Sequence, residues 1–310
     1  MHLTLVVTAF ALTGFAAARS TWSPCGLSML SSITPLGEQG RGHRFRSTAA
    51  WFVVGAVLGG ATLGAVMAGL AAAVSAAGPS GQVVAGAGAV FCAVAAALDL
   101  GAFGPRIPLL RRQVNEVWLD RYRSWVYGAG FGWQIGFGYA TFIMTAAVLA
   151  LVPLAALTGA PLVALGVGVA FGGLRGLTVL MGRSIREPAA LRTAHRRLDR
   201  FNAPVRLAVA AALSAAALGL AVAGGIWAGL AVAAVVVVSA GVAAAGGRIL
   251  GARGAMTGDG SCALIENTVP GASGVSPAVA GGAVLPAAVV RGKPGAGSPG
   301  RDPGHVVTTA

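Results

Sequence analysis

Long apolar runs, separated by short stretches rich in arginine or turn-forming residues, dominate the chain. A bilayer core of about 30 Å takes about 20 apolar residues at about 1.5 Å each, and about seven runs of that order can be read. The first covers residues 3–18 and continues, broken, through Pro24 to Ile33; the second covers 49–77 and the third 83–100. A fourth extends from about Gly130 to Leu157, and a fifth covers 162–181 after the turn Thr158-Gly159-Ala160-Pro161. The stretch 207–245 is nearly twice a bilayer long and is divided at Gly224-Gly225. The pattern predicts an all-α, polytopic membrane helix bundle over residues 1–246.

Arginines sort the connections. Arg41, Arg44 and Arg46 follow the first run, Arg106, Arg111, Arg112, Arg121 and Arg123 the third, and seven from Arg183 to Arg206 the fifth. The turns after the second, fourth and sixth runs carry none. Because short cytoplasmic loops hold the excess of positive charge, the N-terminus is expected outside the plasma membrane and the C-terminal tail in the cytoplasm. Ala16-Ala17-Ala18 resembles a signal-cleavage site. The preceding residues lack the Lys or Arg of a signal peptide, and cleavage would put Arg41, Arg44 and Arg46 on the wrong side, so an uncleaved first span is expected. Residues 247–310 are rich in Gly, Pro, Ala and Ser and have no sustained apolar period, which predicts a disordered tail.

Composition agrees with the pattern: 56% of residues are hydrophobic, 10% are charged, and the mean hydropathy is +0.78. The net charge of +13, from 22 Lys+Arg against 9 Asp+Glu, lies between apolar runs and reads as a topology signal facing membrane lipid, with no nucleic-acid partner. Cys25, Cys92 and Cys262 are too scattered for a disulfide scaffold or a zinc site, so no metal is expected. His2, His43, His195 and His305 fall outside the centres of the runs, which argues against haem and leaves no cofactor. Glycines recur every four residues, at Gly55 and Gly59, Gly60 and Gly64, Gly128, Gly132 and Gly136, and Gly168, Gly172 and Gly176. Such spacing lets helix backbones approach closely, either as ordinary tight packing or as a mobile interface in a transporter.

The most unusual segment runs from Arg19 to Gly26. Pro24 removes a backbone donor inside an apolar run, so Cys25 is expected at a helix break that water can reach, with Arg19 positioned to favour its thiolate. The alternative is a proline kink with a small apolar cysteine packed beside it. Asp99 and Arg175 lie at compatible depths and are expected either to form an ion pair or to reach the interface separately. Gln134 is a candidate to bond across to the first helix. Cys92, in an Ala-rich setting, reads as a packing residue.

Ser23-Pro24-Cys25 in the first span, with Pro35 and Gly37 downstream, then a basic loop and a Gly-rich second span, resembles the DsbD/CcdA thiol-disulfide transporters of cytochrome c biogenesis. The resemblance implies two three-helix repeats of inverted topology, each with a Pro-Cys at the break of its first helix. It makes Cys25 and Pro24 candidate catalytic residues, with Arg19 beside them, and implies a thioredoxin-like partner. Gly132-Trp133-Gln134-Ile135-Gly136 is similar to the family's second motif, with Trp133 matching Trp22, but Ile135 and Gly136 stand where the second Pro-Cys is expected. The paired thiols of a complete relay are therefore absent, and Cys25 would accept or pass reducing equivalents alone. Two other readings stay open. One is a small-solute or ion permease using the broken helices and Trp22, Gln134, Asp99 and Arg175 around a substrate. The other is a noncatalytic assembly factor, a role made plausible by the methylamine-utilisation biogenesis proteins, similar membrane relatives of that family.

Overall fold

A computed structural model describes residues 2–102, 118–141 and 143–257, the last fifteen of these by backbone alone. Every regular element among them is helical: α1 (His2–Ser20), α2 (Pro24–Ser32), α3 (Pro35–Gly40), α4 (Phe45–Ala77), α5 (Gly81–Leu100), α6 (Trp118–Arg121), α7 (Ser124–Phe137), α8 (Ala146–Leu157), α9 (Pro161–Leu177), α10 (Pro188–Gly224) and α11 (Ile226–Thr257). A 3-10 segment, Thr178–Ser184, extends α9. Five helices are long and apolar enough to cross a membrane: α1, α4, α5, α9 with its extension, and α10. Leu3, Val54, Leu58, Leu162 and Val222 are among the many large apolar side chains left exposed, as a lipid-solvated surface requires.

Local chemistry decides where the runs break. Ser23 and Thr34 each cap a new helix, accepting from the N–H of Gly26 at 3.1 Å and of Gly37 at 3.0 Å, and each is followed by a proline at the first helical position. Pro24 therefore opens α2, at the position where the first run was expected to break. The fourth run is likewise not one helix. Gly138, at φ +76°, ends α7, and Thr145 caps α8 through the N–H of Ala147 at 3.2 Å. Gly225, at φ +79°, separates α10 from α11 at the expected glycine pair.

Two boundaries differ from expectation. The arginine-rich stretch before residue 207 is no loop but the first half of α10, a 37-residue helix that opens on Pro188 and runs through good helix formers. Residues 247–257, assigned to the tail, complete α11; a glycine inside a helix costs only about 1 kcal/mol, too little to stop one rich in alanine. Residues 258–310, with Cys262, lie outside the described residues, as do Arg106, Arg111 and Arg112.

The glycine stripes meet on α4, which lies between α7 and α9. A Cβ on Gly132 or Gly136 would collide with the backbone of Phe52 or Ala56, and one on Gly60 or Gly64 with that of Gly168 or Leu165. The relation is reciprocal, because Gly168 and Gly172 face Gly64 and Gly60 with no more room. Two apolar clusters flank this spine. The larger joins α1, α5, α8, α9 and α10 through residues such as Leu12, Leu154 and Leu213. The smaller gathers Cys25 and Met29 of α2 with Phe52 of α4, Tyr127 and Phe131 of α7, and Val179.

Candidate functional site at two helix breaks

The starts of α1 and α5, the end of α4 and the turn between α8 and α9 share one end of the bundle, where His2, Gly78, Gly81 and Thr158 line a common pocket. Counting from that end at about 1.5 Å per residue, Arg19, Asp99 and Arg175 all lie roughly 20–27 Å along their helices. The breaks after α1 and after α7 fall in the same layer.

Asp99 and Arg175 do not pair with each other; the only ion pair within 4 Å among the described residues joins Arg41 to Glu38. Each instead closes one side of the gap between α7 and α8. Arg175, 3% exposed, donates from Nη1 to the carbonyl of Ile135 at 2.6 Å, at the end of α7 where carbonyls lack helical partners. The Asp99 carboxylate accepts from the Thr145 hydroxyl at 2.5 Å and from the N–H of Ala146 at 2.7 Å, at the start of α8. A cation at a helix C-terminus and an anion at an N-terminus both complement the helix dipoles. Asp99 also couples electrostatically to Arg19. The expectation was either a mutual ion pair or separate reach to the interface; the backbone partners found here went unseen because the fourth run was read as unbroken.

Cys25 sits in the first turn of α2 and is 1% exposed. Gly26 beside it is required because a Cβ there would press on the carbonyl of Thr21, where the chain folds back from α1. The guanidinium coupled to Cys25 is that of Arg175, which also lies 5.5 Å from the centre of the Phe171 ring. Arg19, expected in that role, turns to α10 and donates to Asn202 Oδ1 at 2.7 Å. Between Ser20, Gly26, Phe52, Ile135 and Arg175 lies a cavity of about 10 Å³, near the size of one water. Cys92 belongs to the larger apolar cluster and Cys25 to the smaller, so the two thiols are packed apart.

The first half of α10 grips the first break along one face. Trp22 Nε1 donates to the carbonyl of Leu198 at 2.8 Å, Ser31 Oγ lies 3.2 Å from His195 Nε2, and Asn202 holds Arg19. Positions 195, 198 and 202 recur at helical spacing, a signal visible in the sequence once that stretch is read as helix. Gln134 is half-buried and makes no side-chain bond to α1. Trp133, the internal counterpart of Trp22, faces outward, 40% exposed, and donates to Thr62 at 3.2 Å.

A second polar centre was not foreseen. Glu38 is fully buried and accepts from the hydroxyls of Thr48 at 2.5 Å and Tyr127 at 2.6 Å, with Arg41 at 3.3 Å. The available signal was that Glu38 is the only acidic residue before Asp99.

These features define a helical bundle with membrane-length helices, two of its runs broken around buried charge. No known family's profile matches the chain, and no solved structure matches it. Curated relatives do. The chain is 32% identical over 171 residues to the methylamine utilization protein MauF of Methylophilus methylotrophus, covering 51% of this chain and 58% of the relative. It is 31% identical over 165 residues to MauF of Paracoccus versutus, covering 51% and 57%. The protein of the same name from Methylobacillus flagellatus is 35% identical over 136 residues, covering 41% and 45%. The chain thus spans about half the length of the curated relatives it matches.

Proposed function

We propose that this chain is a seven-span membrane protein, built as two inverted three-helix repeats followed by α11, that serves the maturation of another protein by thiol exchange at Cys25. A divergent kinship with the DsbD/CcdA transporters is part of this reading. So is an orientation with the N-terminus outside the plasma membrane and the arginine-rich end in the cytoplasm, and so is a setting in methylamine utilization, the process for which the matched relatives are named. The repeat is supported by like packing on like: α4 packs on α9, α5 on α10, and α1 on α8.

The observation that carries the chemistry is Arg175. It is buried, holds the end of the second break through Ile135, and is electrostatically coupled to the thiol at the first. Disulfide exchange proceeds through the thiolate, and a buried guanidinium is the group of opposite charge that this site offers it. The Cys25 sulfur would attack one sulfur of a disulfide in a thioredoxin-like partner, forming a mixed disulfide. The partner's S–S bond breaks, its electron pair leaves on the second sulfur, and that sulfur takes the thiol proton. Return attack by the same sulfur releases the partner, so the single thiol exchanges and holds without net oxidation. Opening of the α1–α2 turn must precede the step, because Cys25 is 1% exposed.

The test is acid quenching of the full chain with a disulfide-bearing thioredoxin-like protein. A mixed disulfide is expected from the parent, none from Cys25→Ser, and a slower one from Arg175→Gln at unchanged expression. A parent that forms no adduct, with Cys25 unreactive to maleimide, refutes the exchange. The depth of Cys25 favours one second reading, a noncatalytic membrane assembly factor, and that refuting result would select it.

A further inference from the structure

At the arginine-rich end a groove of about 1360 Å³ runs between the first turns of α4 and the 3-10 segment after α9. The proposed thiol chemistry makes no use of it. Its lining divides by chemistry along the helices. Arg44, Arg46, Arg183 and Arg186 lie toward the end of the bundle, all exposed. Ala49, Ala50 and Val53 of α4 and Leu180 of the 3-10 segment lie closer to its middle. Among the described residues no acidic side chain lines the groove, and none of the four arginines has an ion-pair partner. The first turn of α4 adds donors, since Arg44 at its cap makes no side-chain bond to the free N–H groups.

We infer that this groove binds an anionic phospholipid from the surrounding leaflet, its phosphate among the four arginines and an acyl chain along Ala49, Ala50, Val53 and Leu180. Four uncompensated guanidinium groups match a phosphate, whose oxygens they engage as planar forks. A basic pocket between membrane helices that opens onto an apolar slot suits a headgroup with its tail attached, and gives no purchase for the tail of a soluble anion. Charge at the end and hydrocarbon toward the middle is also the order in which a lipid of that leaflet presents its parts.

Native mass spectrometry of the full chain, titrated with phosphatidylglycerol and with phosphatidylcholine, tests the assignment. Phosphatidylglycerol is expected to bind at least about tenfold more tightly, with a loss of roughly fivefold for each arginine replaced by glutamine. Ala50→Trp, which fills the slot and leaves every charge in place, is expected to weaken phosphatidylglycerol binding as well. Replacing Arg192, Arg196, Arg197 and Arg200 of α10 by glutamine is expected to leave it intact, and millimolar inorganic phosphate is expected not to displace the lipid. Equal binding of the two lipids, unchanged binding in the fourfold Arg44, Arg46, Arg183 and Arg186 variant, or no effect of Ala50→Trp would overturn the proposal and leave the arginines as topology signals alone. Displacement by inorganic phosphate would overturn it in favour of a soluble anion.

Discussion

Gly60→Ala and Gly69→Ala make the same change on the same helix and should have opposite outcomes. A Cβ on Gly60 would lie 2.8 Å from Gly172 Cα and 2.9 Å from Gly172 N, with the Gly168 carbonyl closer still. Ordinary contact begins near 3.4 Å, so clearing the carbonyl requires α4 and α9 to separate by about 1 Å, a gap that forfeits up to about half of each dispersion contact it opens. Since Gly64, Gly168 and Gly172 share that interface, the loss is spread along both helices, and we expect about 1–3 kcal/mol of destabilisation, the usual cost of overpacking. At about 3 °C per kcal/mol for a protein of this size, melting should fall by roughly 3–9 °C. Gly69 has nothing within 4 Å of its would-be Cβ, and alanine there should leave melting unchanged or slightly raised. The assay is heating in detergent with a thiol-reactive dye that reports Cys92, buried in the larger apolar cluster, in a Cys25→Ser, Cys262→Ser background. Coincident melting of Gly60→Ala and Gly69→Ala would show that the two helices are not in the close contact described.

Ser23→Ala removes the cap of α2 and should destabilise that helix by about 1 kcal/mol, read as faster maleimide labelling of Cys25; labelling at the parental rate would contradict the capping role. Tyr127→Phe takes one of three side-chain donors from the buried Glu38 carboxylate and should cost about 1–2 kcal/mol, whereas in a Glu38→Gln background the same change should cost less; equal costs in the two backgrounds would deny the coupling. Reporter domains fused after Gly78 and after Arg123 should report opposite sides of the membrane, and a shared side would refute the orientation proposed from the arginine pattern.

Apolar run length and turn residues made the helical class and the division at Gly224-Gly225 readable, because both depend on local sequence. The four-residue glycine spacing gave the close packing of α4, though not its partners, since periodicity marks a face and says nothing of what lies against it. Breaks were harder to see. The break at Pro24 was readable from the proline, though not the cap that Ser23 supplies, and the gap after Gly138 was missed because its flanking residues are as apolar as a helix interior. Missing that gap hid the partners of Asp99 and Arg175, which include orphaned backbone groups, and backbone groups leave no mark in a sequence. Glu38 was passed over for a related reason: two of its three side-chain donors come from α4 and α7, up to 89 positions away.

The length of α10 has a mechanical consequence. Thirty-seven residues make a rod of about 55 Å, nearly twice the hydrocarbon thickness of a bilayer. Its C-terminal half lies along α5, while its N-terminal half holds the chain around Cys25 by the bonds to Arg19, Trp22 and Ser31. A rod pivoting near the internal Pro204 displaces each residue in proportion to its distance from the pivot, so a tilt of about 5° carries position 195 roughly 1 Å and position 202 only about 0.3 Å. The contact of His195 with Ser31 would loosen first, that of Leu198 with Trp22 next, and that of Asn202 with Arg19 last. Whatever pulls on the exposed arginines of this half therefore works on the thiol at a distance, as a hand works a latch.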